Sequence, residues 1–387
     1  MRKRNKQNRC LWRHLLASTV VALSVSPVCQ AQQRGRLLES IMDKFDTNGD
    51  GRLSPEERAA MPKFGRRSEQ NKSADPAQVP ENLKQLYKVH RGPHAVESIT
   101  SLKLAAKHRD DDLPIRVTYP KSTGSFPVIV FSHGAFGSKD AYDPIVQHWA
   151  SHGYVVVQGT HGDSLSLVSA KKKLQVITSG NPFAAMQVEK YWRSRGQDAN
   201  LILNSLSKLD SLHAPLRGKL NLNKIAMGGH SYGSHTTQLI GGLDLGADLK
   251  NKQVRALLLL SPPGPAANST AANYQNIAAP LMTITGSKDE TALRNQGYED
   301  RLKTHEKIPS KQKFLLFMKD AQHSLGGVSG TAGPLSGGAA NADHLACVKS
   351  ATTAFWDFQL KSDTAAQSFL NSNDISQATQ AASKLTR

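Results

Sequence analysis

Gly229-His230-Ser231-Tyr232-Gly233 reads as G-x-S-x-G, a pattern that presents a serine hydroxyl on a sharp turn between a strand and a helix. The pattern alone is common, so its flanks decide. Residues 224–227 precede it as a strand, and residues 232–240 follow with a helix-compatible composition. Gly229 and Gly233 let strand and helix approach closely, while the turn holds Ser231 in a strained backbone conformation. A surface serine in a glycine-rich turn is the bland alternative, and these flanks count against it.

Serine is a weak nucleophile at neutral pH and needs a base. In strand-turn-helix arrangements of this kind an acid and then a histidine follow in chain order. Asp289 follows the strand-like run 281–285 through Gly286-Ser287-Lys288, and His323 follows the run 314–318 through Lys319-Asp320-Ala321-Gln322. Both therefore fall at the carboxyl ends of strands, where ligands gather in open α/β sheets. The expected roles are His323 as base, and Asp289 as the acid that fixes its tautomer and stabilises the imidazolium. Glu290, Asp320 and His344 are the rivals. Asp320 comes after the expected acid strand, and His344 opens a helix past the last strand. Acyl transfer also needs N–H donors for the developing oxyanion. The backbone of Tyr232 is one candidate, and that of Ala135, in the loop Ser132-His133-Gly134-Ala135-Phe136-Gly137, is the other.

These residues need a frame. Strands are expected at residues 114–119, 127–131, 154–157, 224–227, 254–260, 281–285 and 314–318, with helices at 142–151, 197–209, 232–240 and 344–359. Continuous apolar strands alternating with helices predict an α/β class with a mainly parallel sheet covered on both faces. Residues 181–198 form an insertion carrying Phe183, Met186, Tyr191 and Trp192. These side chains either line an apolar pocket or pack on the core. Residues 65–92 read as a linker and residues 363–387 as a polar, loosely held tail, which leaves 93–362 for the catalytic domain. No internal repeat is present.

The amino terminus reads as an export signal, residues 1–31. Six basic residues precede a short apolar run at 15–25, and Cys29-Gln30-Ala31 offers a small-residue cleavage site. A lipoprotein signal at Cys29 is the weaker rival. The expected location is the periplasm or the medium. Cleavage lowers the net charge from +18 to about +12 and removes Cys10 and Cys29 of the three cysteines. Cys347 then has no partner for an internal disulfide. The remaining positive charge comes with no nucleic-acid motif.

Residues 32–64 form a second unit. Asp46-Thr47-Asn48-Gly49-Asp50-Gly51-Arg52-Leu53-Ser54-Pro55-Glu56-Glu57 matches a twelve-residue EF-hand loop position by position. Asp46, Asn48, Asp50, the Arg52 carbonyl, Ser54 and Glu57 are the expected Ca2+ ligands, with Gly51 at the sharp turn. No second loop is found. The expected role of the ion is to stabilise this unit or mediate docking to a partner, outside catalysis.

The hydrolase part resembles the platelet-activating-factor acetylhydrolase, chlorophyllase and dienelactone-hydrolase-like branch of the α/β-hydrolase superfamily. The likeness is carried by Val128-Ile129-Val130-Phe131-Ser132-His133-Gly134, Trp149-Ala150-Ser151-His152-Gly153-Tyr154, the elbow, Thr285-Gly286-Ser287-Lys288-Asp289 and Ala321-Gln322-His323-Ser324. It covers residues 96–361 and implies the α/β-hydrolase fold with metal-free hydrolysis of carboxylic esters. Dienelactone hydrolases proper use a cysteine nucleophile, whereas this chain has Ser231. The leading expectation is thus an exported serine esterase acting on a small-molecule or lipid-like ester. A lipase or polyester hydrolase, a thioesterase and a peptidase share the triad. A calcium-dependent adhesion or scaffold protein with an inactive hydrolase domain is the alternative from another class.

Overall fold

Alternate residues of the same short strands go to opposite sides of one sheet. In β3 (Phe126–Ser132), Ile129 and Phe131 join one buried cluster while Val128 and Val130 join another. In β6 (Val254–Leu260), Leu258 and Leu260 face the first cluster, and Leu257 and Leu259 face a third. Strands buried on both faces must be apolar throughout, which is why these segments lack period-two alternation. The computed structural model describes residues 79–291, 296–330 and 337–387. The sheet and its helices belong to the unit formed by residues 63–177 and 181–387.

The remaining strands are β1 (Val96–Leu104), β2 (Leu113–Pro120), β4 (Val155–Gly159), β5 (Leu220–His230), β7 (Leu281–Lys288), β8 (Lys313–Gln322) and β9 (Ser383–Thr386). Among the described residues they form a nine-stranded sheet in the order β1-β2-β4-β3-β5-β6-β7-β8-β9. Pairing is parallel from β4 through β8 and antiparallel for β1–β2, β2–β4 and β8–β9. One face is covered by α1 (Asp143–Ser151) and, later in the chain, by a helix over Ala342–Lys361. The other carries a long helix over Trp192–Leu212 and a shorter one over Tyr232–Gly241. In chain order these three are α2 (Trp192–Leu212), α3 (Tyr232–Gly241) and α4 (Ala342–Lys361). This mostly parallel, helix-covered sheet fits an α/β-hydrolase fold. No helix among the described residues is long and apolar enough to cross a membrane.

Two expectations about the ends of the unit differ from what is seen. The segment after Lys361 is held tightly. Helices Thr364–Leu370 and Asp374–Ala378 lead into β9, and Phe369, Leu370, Ile375 and Leu385 are buried in the main core. Its polar composition hid these few well-spaced apolar residues. In the segment expected as a linker, residues 79–92 contribute Leu83, Leu86 and Val89 to the same core. The export signal, the Asp46–Glu57 calcium loop and linker residues 65–78 lie outside the described residues. Cys347 is free and buried.

The interior also holds several histidines. Burial pushes His133 and His148 well below their ordinary value, and burial followed by the neighbouring His323 pushes His230 down to about 3. A histidine depressed in the fold takes up a proton on unfolding, so its stabilising share is whole above the unfolded value near 6.5 and drains away as pH falls toward the folded value. For His230 that window is about 6.5 down to about 3, and the loss at pH 4.5 is on the order of 3 kcal/mol. Thermal unfolding measured from pH 7 to pH 4.5 should therefore show a falling Tm, with a shallower fall in His230→Gln. Parallel profiles for the two proteins would contradict this.

Candidate active site

The turn after β5 sets the site. Ser231 has φ 54° and ψ −119°, a region costly for any residue with a Cβ. Its neighbours make the strain unavoidable. A Cβ on Gly229 would overlap the Gly233 carbonyl, and one on Gly233 would overlap the Ser132 carbonyl. The Ser231 N–H donates to the Leu260 carbonyl at 2.9 Å, pinning the turn to the end of β6. The chain then enters α3 at Tyr232, whose N–H belongs to the first turn, where helix donors have no intrahelical acceptor.

His323 follows β8 directly, and its Nε2 lies 2.9 Å from Ser231 Oγ. Its Nδ1 lies 2.8 Å from Asp289 Oδ1, just beyond β7. The structure therefore brings Ser231, His323 and Asp289 into one hydrogen-bonded line. They come from the carboxyl ends of β5, β8 and β7, with β6 between β5 and β7. The rivals lie elsewhere. Asp320 pairs with Lys288 at the surface, Glu290 is exposed, and His344 Nε2 is 3.0 Å from the Lys319 carbonyl.

Asp289 is fully buried and needs partners for every lone pair. Ser261 and Thr285 donate hydroxyls to its two oxygens at 2.8 Å each. The Nε of Arg301 lies 3.5 Å from Oδ1. Burial alone would raise this carboxyl, but His323, Arg301 and the Ser261 hydroxyl outweigh it and hold the group well below the usual carboxylate range. Ser261 itself sits at φ 46°, with its hydroxyl 2.7 Å from His323 Nδ1. Neither Ser261 nor Arg301 was singled out by sequence reasoning. A serine closing an apolar strand ahead of Pro262-Pro263 carried a faint signal, and Arg301 lies on an ordinary polar helix.

A chain of buried hydrogen bonds ties the loop after β3 to His323. The Gly134 N–H donates to the Tyr142 hydroxyl at 2.9 Å, that hydroxyl lies 3.0 Å from His230 Nδ1, and His230 Nε2 is 2.8 Å from the His323 carbonyl. With His230 neutral, Nε2 carries the proton and Nδ1 accepts from Tyr142.

A pocket at Ser231 is lined also by Phe183, Tyr232, Ser261, Pro263, Thr291, Gln296, Arg301 and His323. Of the four insertion side chains expected to line a pocket or pack on the core, Phe183 reaches the pocket. Met186 is buried in a side cluster with Val188 and Tyr232, against which Tyr191 and Trp192 pack. Among the described residues no group of three or more His, Cys, Asp or Glu side chains is placed to hold a metal ion.

A family model described as chlorophyllase matches residues 87–270. That stretch contains Ala135, Ser231 and Tyr232 and stops short of Asp289 and His323. Chlorophyllase-1 of Arabidopsis thaliana is 28% identical over 123 residues, covering 32% of this chain and 31% of the relative. The chloroplastic chlorophyllase-1 of Citrus sinensis is 28% identical over 146 residues, covering 38% of each. The platelet-activating factor acetylhydrolase of Cavia porcellus is 26% identical, covering 32% of this chain and 34% of the relative. The chain thus spans 31% to 38% of the length of these curated relatives. Together with the sheet, these likenesses support an α/β-hydrolase-like branch that includes chlorophyllase and platelet-activating factor acetylhydrolase.

Proposed function

We propose that this chain is an exported serine hydrolase that cleaves carboxylic esters through an acyl-enzyme intermediate. The observation that carries the reading is the line from Ser231 Oγ through His323 to Asp289, ending in a pocket. His323 Nε2 accepts the Ser231 proton as Oγ attacks the ester carbonyl, and Asp289 holds the imidazolium that forms. The N–H groups of Ala135 and Tyr232 receive the oxyanion. His323 then protonates the departing alkoxide, and a water activated by the same nitrogen releases the acid. The matched relatives include an acetylhydrolase and a putative phospholipase A2 of Schizosaccharomyces pombe, 22% identical, which favours small or lipid-like esters over peptides. The acetylhydrolase among these relatives favours short acyl chains.

Calcium has a separate place in this reading. The Asp46–Glu57 loop offers carboxylates, an amide carbonyl, a hydroxyl and a backbone carbonyl, a hard-oxygen donor set that suits Ca2+. We assign the ion to stabilising or docking the amino-terminal unit, at the weak affinities typical of extracellular modules, about 10⁻⁴–10⁻³ M.

Hydrolysis of p-nitrophenyl esters from acetate to palmitate tests both statements. The mature protein should be fastest on the short esters, and Ser231→Ala should lose about 10⁴-fold or more in kcat. Asp289→Asn should fall by about 10⁴-fold through the wrong histidine tautomer. Wild-type turnover in Ser231→Ala, or none on any ester in the folded protein, would contradict the reading. Chelation should abolish calcium binding measured by titration calorimetry and leave kcat within about two-fold, since no catalytic step is routed through the ion. A folded enzyme inactive in chelator would refute the calcium assignment.

A further inference from the structure

Arg195, near the start of α2, is fully buried and pairs with Asp163, also fully buried, through Nε to Oδ1 at 2.8 Å and NH2 to Oδ2 at 2.9 Å. Taking both charges out of water is costly, and such a pair is weak evidence for stability. What the guanidinium does with its remaining donors is more specific. NH1 donates to the His133 carbonyl at 2.8 Å and NH2 to the Gly134 carbonyl at 3.2 Å. The flat face of the same group lies 4.5 Å from the centre of the Tyr232 ring. One side chain therefore touches both places from which the proposed oxyanion donors come.

The backbone of the loop can be accounted for group by group. The Gly134 N–H goes to Tyr142, the Phe136 N–H to Asp163 Oδ2 at 3.4 Å, and the Gly137 N–H to the Gly134 carbonyl at 3.2 Å. Two successive carbonyls face the guanidinium, and among the described residues the Ala135 N–H is left with no acceptor. One turn along α2, Asp198 extends the grip. Its Oδ2 accepts from His161 Nδ1 at 2.9 Å, and His161 Nε2 accepts from the Ser132 hydroxyl at 2.9 Å. The line Ser132–His161–Asp198 repeats the triad's connectivity, but all three members are buried. It anchors the strand end rather than facing a substrate.

We propose that the buried Arg195–Asp163 pair is a positioning unit for the oxyanion hole: by drawing the His133 and Gly134 carbonyls toward α2 and bracing Tyr232, it leaves the Ala135 N–H presented beside Ser231. The inference rests on the ester-hydrolase reading and deepens it. Neither residue touches substrate. Their effect falls on the transition state, because the ground-state ester makes little use of the hole.

The test uses p-nitrophenyl butyrate as substrate and a trifluoromethyl ketone as transition-state mimic. Ser231 Oγ adds to the ketone carbon, its proton passes to His323, and the carbonyl electron pair becomes the oxyanion held in the hole. Arg195→Lys keeps the charge and the fold but cannot span Asp163 and both carbonyls. It should lower kcat by about 10²-fold with KM within about three-fold, and weaken ketone binding in parallel. The double variant Arg195→Met/Asp163→Asn removes both charges, so no unpaired ion is buried. Its melting temperature should recover relative to Arg195→Met alone, while its kcat stays low. Recovery of kcat along with stability, or a folded Arg195→Lys with wild-type kcat and ketone affinity, would overturn the inference alone. A wild-type protein inert to both probes would overturn the ester reading, and this inference with it.

Discussion

The left-handed turn at Ser231 is the constraint that the rest of this sheet edge answers to. A backbone at φ 54° and ψ −119° costs on the order of 1–3 kcal/mol and persists only where its surroundings leave no alternative. The surroundings of Ser231 leave none. The turn is pinned to β6 through the Leu260 carbonyl, and the missing side chains of Gly229 and Gly233 bring α3 against the end of β3. Because β5 lies at the centre of the parallel run, the turn lifts the hydroxyl out of the sheet between the ends of β3 and β6. The positions of the acid and the histidine follow from strand order, since β7 and β8 are the next parallel strands on that side.

Around this turn, burial divides chemically similar residues by role. His323 faces a serine hydroxyl and lines a pocket. His133, His161 and His230 are enclosed, and burial keeps each of them neutral. A neutral imidazole has one donor and one acceptor, which makes it a directional strut between two fixed polar groups. The same logic separates Asp289 from Asp163. Both are buried carboxylates held below their usual range, but one faces an imidazole that can take a proton and the other faces an arginine that cannot release one.

Much of this was legible in the sequence because it depends on local spacing. The elbow, the acid and the histidine each follow an apolar run within a few residues, and the runs lie within strands of the fold. Their lengths were less legible: β8 continues through Gln322, so His323 leaves the strand itself rather than a loop beyond it. Ser261, Arg195 and Tyr142 were hidden, because each acts on a partner remote in sequence or across a turn, through a contact that periodicity does not encode. The amphipathic reading of residues 197–209 saw the apolar face of α2, but it could not show that Arg195 and Asp198 point inward as well. The closing segment was misread for the opposite reason. Its apolar residues are sparse, and their burial follows from β9 pairing with β8.

The central claim is that His323 activates Ser231. It is tested most directly by the rate at which a fluorophosphonate labels the native protein, with the modified residue located by peptide mass spectrometry. The account predicts rapid labelling at Ser231 alone in the wild type, and labelling slower by orders of magnitude in a folded His323→Ala variant. Equal rates in the two proteins, or modification at another serine, would contradict it.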